Sequence, residues 1–204
     1  MKLKICGMLY ENNIVEVSKL QPDYLGFIFY EKSPRYFDKT IPKLPKTIKK
    51  VGVFVNDGLE SIKTKIKIHD LQAVQLHGQE SVEYCKHLKH TNVEVIKVLS
   101  IKDTFNFDTL KPYEPYVDFF LFDTKGKLPG GNGYTFNWEI LKKYTATTPY
   151  FLSGGIGLDC IENLNSFFKT SASKQCHAVD VNSKFEIKPG LKNSQLLTEF
   201  KSRL

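Results

Sequence analysis

Cysteine is scarce in this sequence, and its copies lie far apart. Cys6, Cys85, Cys160 and Cys176 are the only four, and no two of them form a Cys-x-x-Cys pair. This spacing predicts neither a structural zinc site nor a disulfide framework. Unpaired cysteines are typical of proteins that work in a reducing compartment, so we expect a cytoplasmic protein without a metal.

Long apolar runs are also missing. Lys2 and Lys4 interrupt the first apolar residues, which argues against a secretory signal peptide. No uninterrupted apolar stretch reaches the length that crosses a bilayer, so we expect no membrane partner. The 204 residues suffice for a hydrophobic core without staples, and we expect them to form a single compact domain, 1–204.

Positive charge is in excess, with a formal net charge of +7. The densest basic stretch covers residues 39–50, where prolines and aliphatic residues separate the lysines and no aromatic stacking series is interleaved with them. A solvated, lysine-rich face is therefore favoured over a nucleic-acid site. Such a face would also attract an anionic metabolite.

Apolar, β-branched and aromatic runs recur along the whole chain. Eight such runs are present, at 3–6, 24–29, 51–55, 73–76, 93–99, 117–123, 150–154 and 178–181. Their starts lie roughly 20–30 residues apart, which is too far for hairpins and fits a strand, a helix and two loops. Apolar residues at helical spacing between the runs predict helices at 12–20, 59–68, 81–88 and 136–144.

Strands that alternate with helices indicate an α/β fold with parallel strands and right-handed crossovers. Eight units favour a closed (β/α)8 TIM barrel, although periodicity alone also fits an eight-stranded doubly wound sheet. The chain is short for such a barrel, so some helices must be shortened. The segment 103–115, with Pro112 and Pro115, is expected to be the most eroded. Cys85 and Cys160 fall on the helical side of these units, where packing is their expected role.

Polar residues and glycines follow nearly every predicted strand. In a parallel barrel these carboxyl-terminal strand ends carry the chemistry. Taken alone, Cys6 is expected to be a small buried hydrophobe, but its place at the first strand end favours a functional thiol. The other candidates are Arg35 after the second strand, Asn56 after the third, Gln75 and His77 at the fourth, Asp123 at the sixth, Gly154 and Gly155 after the seventh, and Asp180, Asn182 and Ser183 at the eighth.

Short motifs at these strand ends, taken together and in this order, are highly specific. They are 4–7 (KICG), 25–29 (LGFIF), 33–36 (SPRY), 51–56 (VGVFVN), 74–78 (VQLHG), 123–124 (DT), 130–133 (GGNG), 152–155 (LSGG) and 180–183 (DVNS). With them the chain resembles the phosphoribosylanthranilate isomerase family. It departs from the usual family residues at Asn132, where threonine or serine is common, at Asn182, where serine is common, and at Lys184, where glycine is common.

The resemblance implies an Amadori rearrangement, which changes an aldose into a ketose without redox chemistry and without a cofactor. N-(5'-phosphoribosyl)anthranilate would become 1-(2-carboxyphenylamino)-1-deoxyribulose 5-phosphate, a step of tryptophan biosynthesis. By the family pattern, Asp123 is the general acid and Cys6 is the general base. Asp123 must then keep its proton near neutral pH and Cys6 must lose its own, so each needs help from its surroundings.

The resemblance also implies a phosphate site at the last two strand ends. Gly154, Gly155, Asn182 and Ser183 suit a phosphate that is held by backbone N–H groups near the start of a short helix. A glycine pair also occurs in plain turns, and the position beside the eighth strand favours the phosphate. The segment 130–133 is expected to be a mobile loop over the site, although a flexible linker would have the same composition.

The remaining assignments concern the other end of the substrate and the environment of the thiol. Arg35 maps onto the family residue that engages the anthranilate carboxylate, with a surface salt bridge as the alternative. Asp180 is placed in the same pocket. Gln75 and His77 could line it too, although a lone histidine at a strand end is more often a satisfied structural residue, and both alternatives stay open. Lys4 could supply positive potential to the thiol or could pair with Asp180, and the sequence leaves both open.

Two other functions stay open. One is a different phosphate-binding sugar isomerase with two aspartates, and the other is a catalytically silent barrel that binds an anionic partner through its basic face. The presence of both Cys6 and Asp123 favours the isomerase, because a binding module needs neither residue. The expected partner is a phosphorylated small molecule and not a nucleic acid, and the expected state is a monomer.

Overall fold

A closed barrel of eight parallel strands forms the centre of the protein. The computed structural model describes residues 1–102, 104–124 and 135–204. The strands are β1 (Lys2–Ile5), β2 (Tyr24–Ile28), β3 (Lys49–Phe54), β4 (Ala73–Leu76), β5 (Glu94–Ile101), β6 (Phe119–Thr124), β7 (Tyr150–Leu152) and β8 (Cys176–Val181). Because β1 pairs in parallel with both β2 and β8, the sheet closes on itself. The predicted barrel is confirmed and the doubly wound sheet is excluded; the single domain stays a prediction.

Five α-helices lie in the described ranges. They are α1 (Glu11–Ser18), α2 (Leu59–His69), α3 (Val82–Lys89), α4 (Ile161–Phe167) and α5 (Ser194–Arg203). The helices predicted at 12–20, 59–68 and 81–88 are confirmed, and each of their ends lies within two residues of the predicted one. The hydroxyl oxygen of Ser81 accepts a hydrogen bond from the amide of Tyr84, which fixes the start of α3. None of these helices combines the length and the apolar composition that crossing a membrane requires.

The helical layer is reduced where the sequence predicted erosion. Between β5 and β6 the described residues form only the short 3-10 helices Phe107–Leu110 and Glu114–Tyr116. The prediction of an α-helix at 136–144 was wrong, because Trp138–Lys143 winds as a 3-10 helix. Trp138 and Leu141 are both buried, and a turn of three residues places them on the same side.

An irregular loop replaces a helix between β2 and β3. Residues 29–48, all of them described, contain no helix. The amide of Phe37 donates to the carbonyl of Ile28 at 2.8 Å, and the Phe37 ring packs edge-on against Phe27 at 5.0 Å between ring centroids. The loop is thereby held against β2, and it carries Arg35 to the rim of the barrel.

A hairpin that the sequence analysis did not anticipate follows β8. Its antiparallel strands are β9 (Glu186–Lys188) and β10 (Leu191–Lys192). Gly190 turns the chain with φ of +82°, in the left-handed region that favours glycine. The hairpin places Glu186 and Lys192 beneath the carboxyl end of the barrel, where both are largely buried.

The barrel interior is divided along its axis. The amino-terminal half is filled by an apolar cluster of Tyr24, Val51, Ala73, Ile96, Val98, Phe119, Leu121, Phe151 and Ala178. Further along the strands the buried side chains become polar, with Lys4, Gln75, Asp123 and Asp180. Because inward-facing residues alternate along every strand, two residues of chain separate these two layers on β4, β6 and β8.

Candidate active site

One cavity of about 360 Å³ opens at the carboxyl ends of the strands. Every site residue that the sequence analysis assigned to catalysis or substrate binding lines it, namely Cys6, Arg35, Gln75, His77, Asp123, Gly154, Gly155, Asp180, Asn182 and Ser183. Asn56, the candidate after the third strand, does not line it. The rest of the lining mixes apolar groups, such as Ile28 and Val53, with Lys32 and Lys184. The cavity therefore combines ionisable groups with an apolar wall, as ligand sites commonly do.

Cys6 directly follows β1 and is buried beneath the cavity. A glycine on the neighbouring strand makes its position possible. A Cβ atom at Gly26 would lie only 2.7 Å from the Cys6 Sγ and 3.1 Å from the Cys6 Cα. Any larger residue at position 26 would push the thiol out of place.

Lys4 forms a buried ion pair with Asp180, with 2.7 Å between Nζ and Oδ1. The Ser153 hydroxyl donates to the other carboxylate oxygen at 3.0 Å. Burial raises the pKa of the Cys6 thiol, and the nearby charge of Lys4 opposes this shift without cancelling it. Both possibilities left open for Lys4 are thus realised, because the lysine pairs with Asp180 and also favours the thiolate of Cys6.

Asp123 lies near the end of β6, and 6% of its surface is exposed. Its Oδ1 accepts a hydrogen bond from the amide of Thr124 at 2.9 Å, and its Oδ2 lies 3.6 Å from His77 Nε2. The Gln75 amide nitrogen faces His77 Nδ1 at 3.4 Å. If that nitrogen donates, Nδ1 must accept, so a neutral His77 carries its proton on the Nε2 that faces Asp123.

Arg35 is held by a carboxylate from the hairpin. Its Nε and Nη2 donate to Glu186 at 2.8 and 2.6 Å, in a two-pronged pair. The hydrogen bonds to Glu186 raise the pKa of Arg35, so the guanidinium stays charged. Lys192 is fully buried and donates to Glu186 at 2.8 Å and to the side-chain oxygen of Asn182 at 2.6 Å. The predicted alternative of a salt bridge is thus present, although this ion pair is largely buried and not at the surface, and its arginine also lines the cavity.

The loops after β7 and β8 expose backbone amides at the rim of the cavity. Gly154 and Gly155 have φ of +93° and +67°, and a Cβ atom at Gly154 would lie 2.5 Å from the amide nitrogen of Thr124. Among the described residues, the amides of Gly154, Gly155 and Ser183 donate to no protein acceptor. Lys184 does not need the backbone freedom of glycine, because it lies in the 3-10 helix Ser183–Phe185 without a positive φ.

No metal-binding cluster is present in the part of the chain that the structure describes, where no three His, Cys, Asp or Glu side chains converge suitably. All four cysteines are unpaired. The cavity is thus lined by ionisable side chains, one of them an arginine, by apolar groups, and by glycine-containing loops at its rim.

The whole chain is similar to proteins of one family. The family model described as N-(5'phosphoribosyl)anthranilate (PRA) isomerase matches residues 3–203. The N-(5'-phosphoribosyl)anthranilate isomerase of Parabacteroides distasonis is 40% identical over 206 residues, which cover 98% of this chain and 91% of the relative. The chain belongs to the N-(5'-phosphoribosyl)anthranilate isomerase family.

Solved structures agree with this membership. The crystal structure of phosphoribosyl anthranilate isomerase from Thermotoga maritima matches with a TM-score of 0.84 and 30% identity, covering 100% of this chain and 98% of the other. A second isomerase structure contains reduced 1-(o-carboxyphenylamino)-1-deoxyribulose 5-phosphate and matches with a TM-score of 0.81 and 29% identity, covering 100% and 97% of the two chains. The N-(5'-phosphoribosyl)anthranilate isomerase resemblance read from the motifs is confirmed.

The sequence analysis did not predict two charged side chains that lie next to Arg35 in this isomerase-family protein. Glu186 and Lys192 belong to the hairpin, and neither follows a strand of the barrel. The Pro189–Gly190 pair could have predicted the turn. The segment 130–133 and Asn132, predicted as a covering loop and as a departure from the family, lie outside the described residues.

Proposed function

We propose that the protein catalyses the isomerisation of N-(5'-phosphoribosyl)anthranilate to 1-(2-carboxyphenylamino)-1-deoxyribulose 5-phosphate in tryptophan biosynthesis, with Cys6 as general base and Asp123 as general acid. The observation that carries the proposal is that Cys6 and Asp123 line one cavity, together with Arg35 on one side and the loops of Gly154, Gly155 and Ser183 on the other. Family membership restricts the chemistry to this isomerisation class.

The two anionic ends of the substrate would bind at opposite sides of Cys6. Its strand, β1, lies between β8 and β2 in the barrel. The amides of Gly154, Gly155 and Ser183, which donate to no acceptor among the described residues, suit the phosphate, since backbone N–H groups are strong donors to it. On the other side, Arg35 suits the anthranilate carboxylate, because its planar fork can still present N–H groups to the cavity. The ligand in the second isomerase structure carries both a carboxyphenyl group and a phosphate.

Ring opening would begin the reaction. Asp123 donates its proton to the furanose ring oxygen, the bond from this oxygen to the anomeric carbon breaks, and the anthranilate nitrogen forms a Schiff base with that carbon. A carboxyl group that donates a proton must first hold one.

Proton abstraction would follow. The Cys6 thiolate removes the proton from the carbon next to the Schiff base, and the electron pair of that bond forms the enolamine, which tautomerises to the ketone. Because burial raises the pKa of the Cys6 thiol, little thiolate exists near neutral pH. Lys4 limits this effect and Asp180 holds Lys4 in place, so Asp180 supports the base and does not itself move a proton.

The alternatives fit the cavity less well. A sugar isomerase with two catalytic aspartates would use Asp180 as the second acid or base, yet the ion pair with Lys4 and the bond from Ser153 occupy this carboxylate. A silent binding barrel would not need the gap at Gly26 that accommodates the thiol. Two lysines of the basic stretch are engaged within the protein, since Lys49 forms an ion pair with Glu94 and Lys50 forms one with Asp70. Their charges are therefore partly neutralised and attract an anionic partner less strongly.

The test is fluorescence decay of freshly generated phosphoribosylanthranilate under wild-type protein, Cys6→Ser and the matched control Cys176→Ser. Cys176 begins β8 at the opposite end of the barrel. We expect turnover by the wild type and the control, and a loss of about a hundredfold or more in Cys6→Ser with unfolding temperature preserved. Folded wild-type protein that leaves the substrate unchanged would refute the isomerase.

Four further expectations stay predictions alongside this proposal. They are the cytoplasmic location, the monomeric state, the lack of nucleic-acid or membrane partners, and independence from cofactors.

A further inference from the structure

A group of three largely buried, charged side chains lies at the edge of the cavity, and the proposed mechanism gives a role to only one of them, Arg35. Glu186 and Lys192 come from the hairpin of β9 and β10, and Arg35 comes from the loop after β2. The Glu186 carboxylate bonds Arg35 and Lys192, and also accepts from the amide of Gly190 at 3.0 Å. Burying three charges is costly, so their arrangement calls for an explanation beyond stability.

The geometry divides the guanidinium into two edges. Nε and Nη2 are engaged by Glu186, while Nη1 forms no hydrogen bond with any residue that the structure describes. The stem of Arg35 packs against the backbone of Gly7, where a Cβ atom would lie 2.8 Å from Arg35 Cδ. Glu186 therefore holds one edge of the Arg35 guanidinium and Gly7 supports its stem, so the N–H groups of Nη1 remain available to a ligand in the cavity.

The charges decide what that fixed arginine presents to a ligand. Arg35 paired with Glu186 alone would be close to neutral, and an incoming carboxylate would gain little from it. The ammonium of Lys192 adds a second positive charge at 2.8 Å from the same carboxylate, so the group of three carries a net charge of about +1. Asn182, which accepts from Lys192 at 2.6 Å, ties the group to the loop after β8.

We propose that Lys192 is a positioning residue for substrate recognition: as counter-ion of Glu186, it lets that carboxylate clamp Arg35 without neutralising it, so that the site selects ligands with an aromatic carboxylate. This inference rests on the proposed function. Lys192 touches no substrate in this role, because it is fully buried and acts through Glu186 and Arg35.

A pH dependence follows from the surroundings of the ammonium. The groups that face Lys192 are Glu186 on β9, Cys6 after β1, Arg35 after β2, Asn182 after β8, and Asn13 on α1, which bonds the Lys192 backbone. Burial lowers the pKa of Lys192 to about 8, although Glu186 opposes the shift. Affinity for a carboxylated ligand should therefore weaken as the pH rises through about 8.

The experiment measures dissociation constants for two ligands: reduced 1-(o-carboxyphenylamino)-1-deoxyribulose 5-phosphate and its phenyl counterpart without the carboxyl group. At pH 7 we expect Lys192→Met to bind the carboxylated ligand about tenfold more weakly and the other within about twofold. The double variant Glu186→Gln with Lys192→Met restores a net charge of about +1 and should recover much of the loss. Lys188→Met, which removes an exposed charge from the same hairpin, is the control and should match the wild type.

Equal weakening of both ligands in Lys192→Met would show a structural role only and would overturn the inference, as would no change in either. If Lys192→Met does not fold, the pH dependence of ligand binding to the wild type tests the proposal instead. Its preference for the carboxylated ligand should fall severalfold between about pH 7 and about pH 9, and a constant preference would contradict the proposal. Wild-type protein that turns over no phosphoribosylanthranilate and binds neither ligand would instead refute the proposed function itself.

Discussion

The two ends of the barrel are filled in opposite ways. At the amino end, aromatic rings pack against one another: Tyr24 and Phe119 lie edge-on to Phe151 at 5.2 Å, and Phe119 lies 4.4 Å from the ring of His177. At the carboxyl end, the buried groups are ionisable, including Lys4, Asp123 and Asp180 among others.

This difference suggests that the amino end of the barrel mainly stabilises the fold and that the carboxyl end mainly serves the chemistry. Packed rings contribute to stability through apolar burial and favourable geometry. Buried ion pairs contribute little net stability, since desolvation offsets their attraction, but they fix side chains and shift pKa values. Substitutions at the amino end should therefore change unfolding, and substitutions at the carboxyl end should change turnover.

The sharpest comparison uses two aspartates near opposite ends of β6. Asp123→Asn removes the proposed acid, and we expect kcat to fall by about a hundredfold or more with little change in stability. Asp118→Asn weakens the carboxylate that accepts from the Val95 amide at 2.8 Å and pairs with Lys89. It should lower the free energy of unfolding by about 1 kcal/mol and leave kcat within about twofold. Turnover assays and urea unfolding measure both, and the reverse pattern would break the division between the ends.

A pair of glycines gives the next largest effect. Gly26→Ala places a methyl group 2.7 Å from the Cys6 Sγ, so the thiol must move. We expect kcat to fall at least about tenfold, because a misplaced base transfers protons poorly. Gly58→Ala is the control, since a Cβ atom there meets nothing within 4 Å. Unchanged turnover in Gly26→Ala would show that the position of the thiol is not critical.

The smallest expected effect is a pH dependence of the unfolding free energy that His177, at the amino end of the barrel, contributes. His177 bonds the Tyr24 hydroxyl at 2.9 Å, and burial lowers its pKa to about 4. Its pKa in the unfolded chain is about 6.5, so below that pH the unfolded state binds a proton that the folded state rejects. Stability from the neutral ring is thus present above about pH 6.5 and is lost as the pH falls toward about 4.

Urea unfolding at pH 7 and pH 4.5 tests this titration. Allowing for the partial exposure of the ring, the wild type should lose about 1 kcal/mol more than His177→Gln. Equal losses in wild type and His177→Gln would show that His177 does not contribute to the pH dependence.

The barrel could be predicted because its signal is local and repeated. Each strand is an apolar run, and the spacing of the runs fits a crossover helix. The wrong or missing predictions occur where tertiary packing, and not local sequence preference, determines the conformation. The 3-10 winding of Trp138–Lys143 is one such place, because burial of Trp138 and Leu141 selects it. The hairpin of β9 and β10 is another, since two and three residues of strand carry too short a pattern to be recognised.

The lining of the cavity could also be predicted, because parallel strands deliver their carboxyl ends to one rim. The partners behind it could not. That Arg35 meets Glu186 across 151 positions of sequence depends on how a loop and a hairpin pack together. The approach of Gly26 to Cys6 likewise depends on the register of β1 and β2, which no single strand encodes.

The most direct test of the chemistry at the carboxyl end is the single-turnover rate at saturating phosphoribosylanthranilate, measured between about pH 7 and about pH 9. Since burial raises the pKa of the Cys6 thiol, the thiolate fraction should grow about tenfold for each pH unit below that pKa. Because the reaction also needs the proton of Asp123, we predict that the rate rises with pH or, where loss of that proton offsets the gain of thiolate, stays level. A rate that falls as the pH rises over this range would mean that the base is already ionised at neutral pH, and it would contradict the assignment of a buried Cys6 as the base.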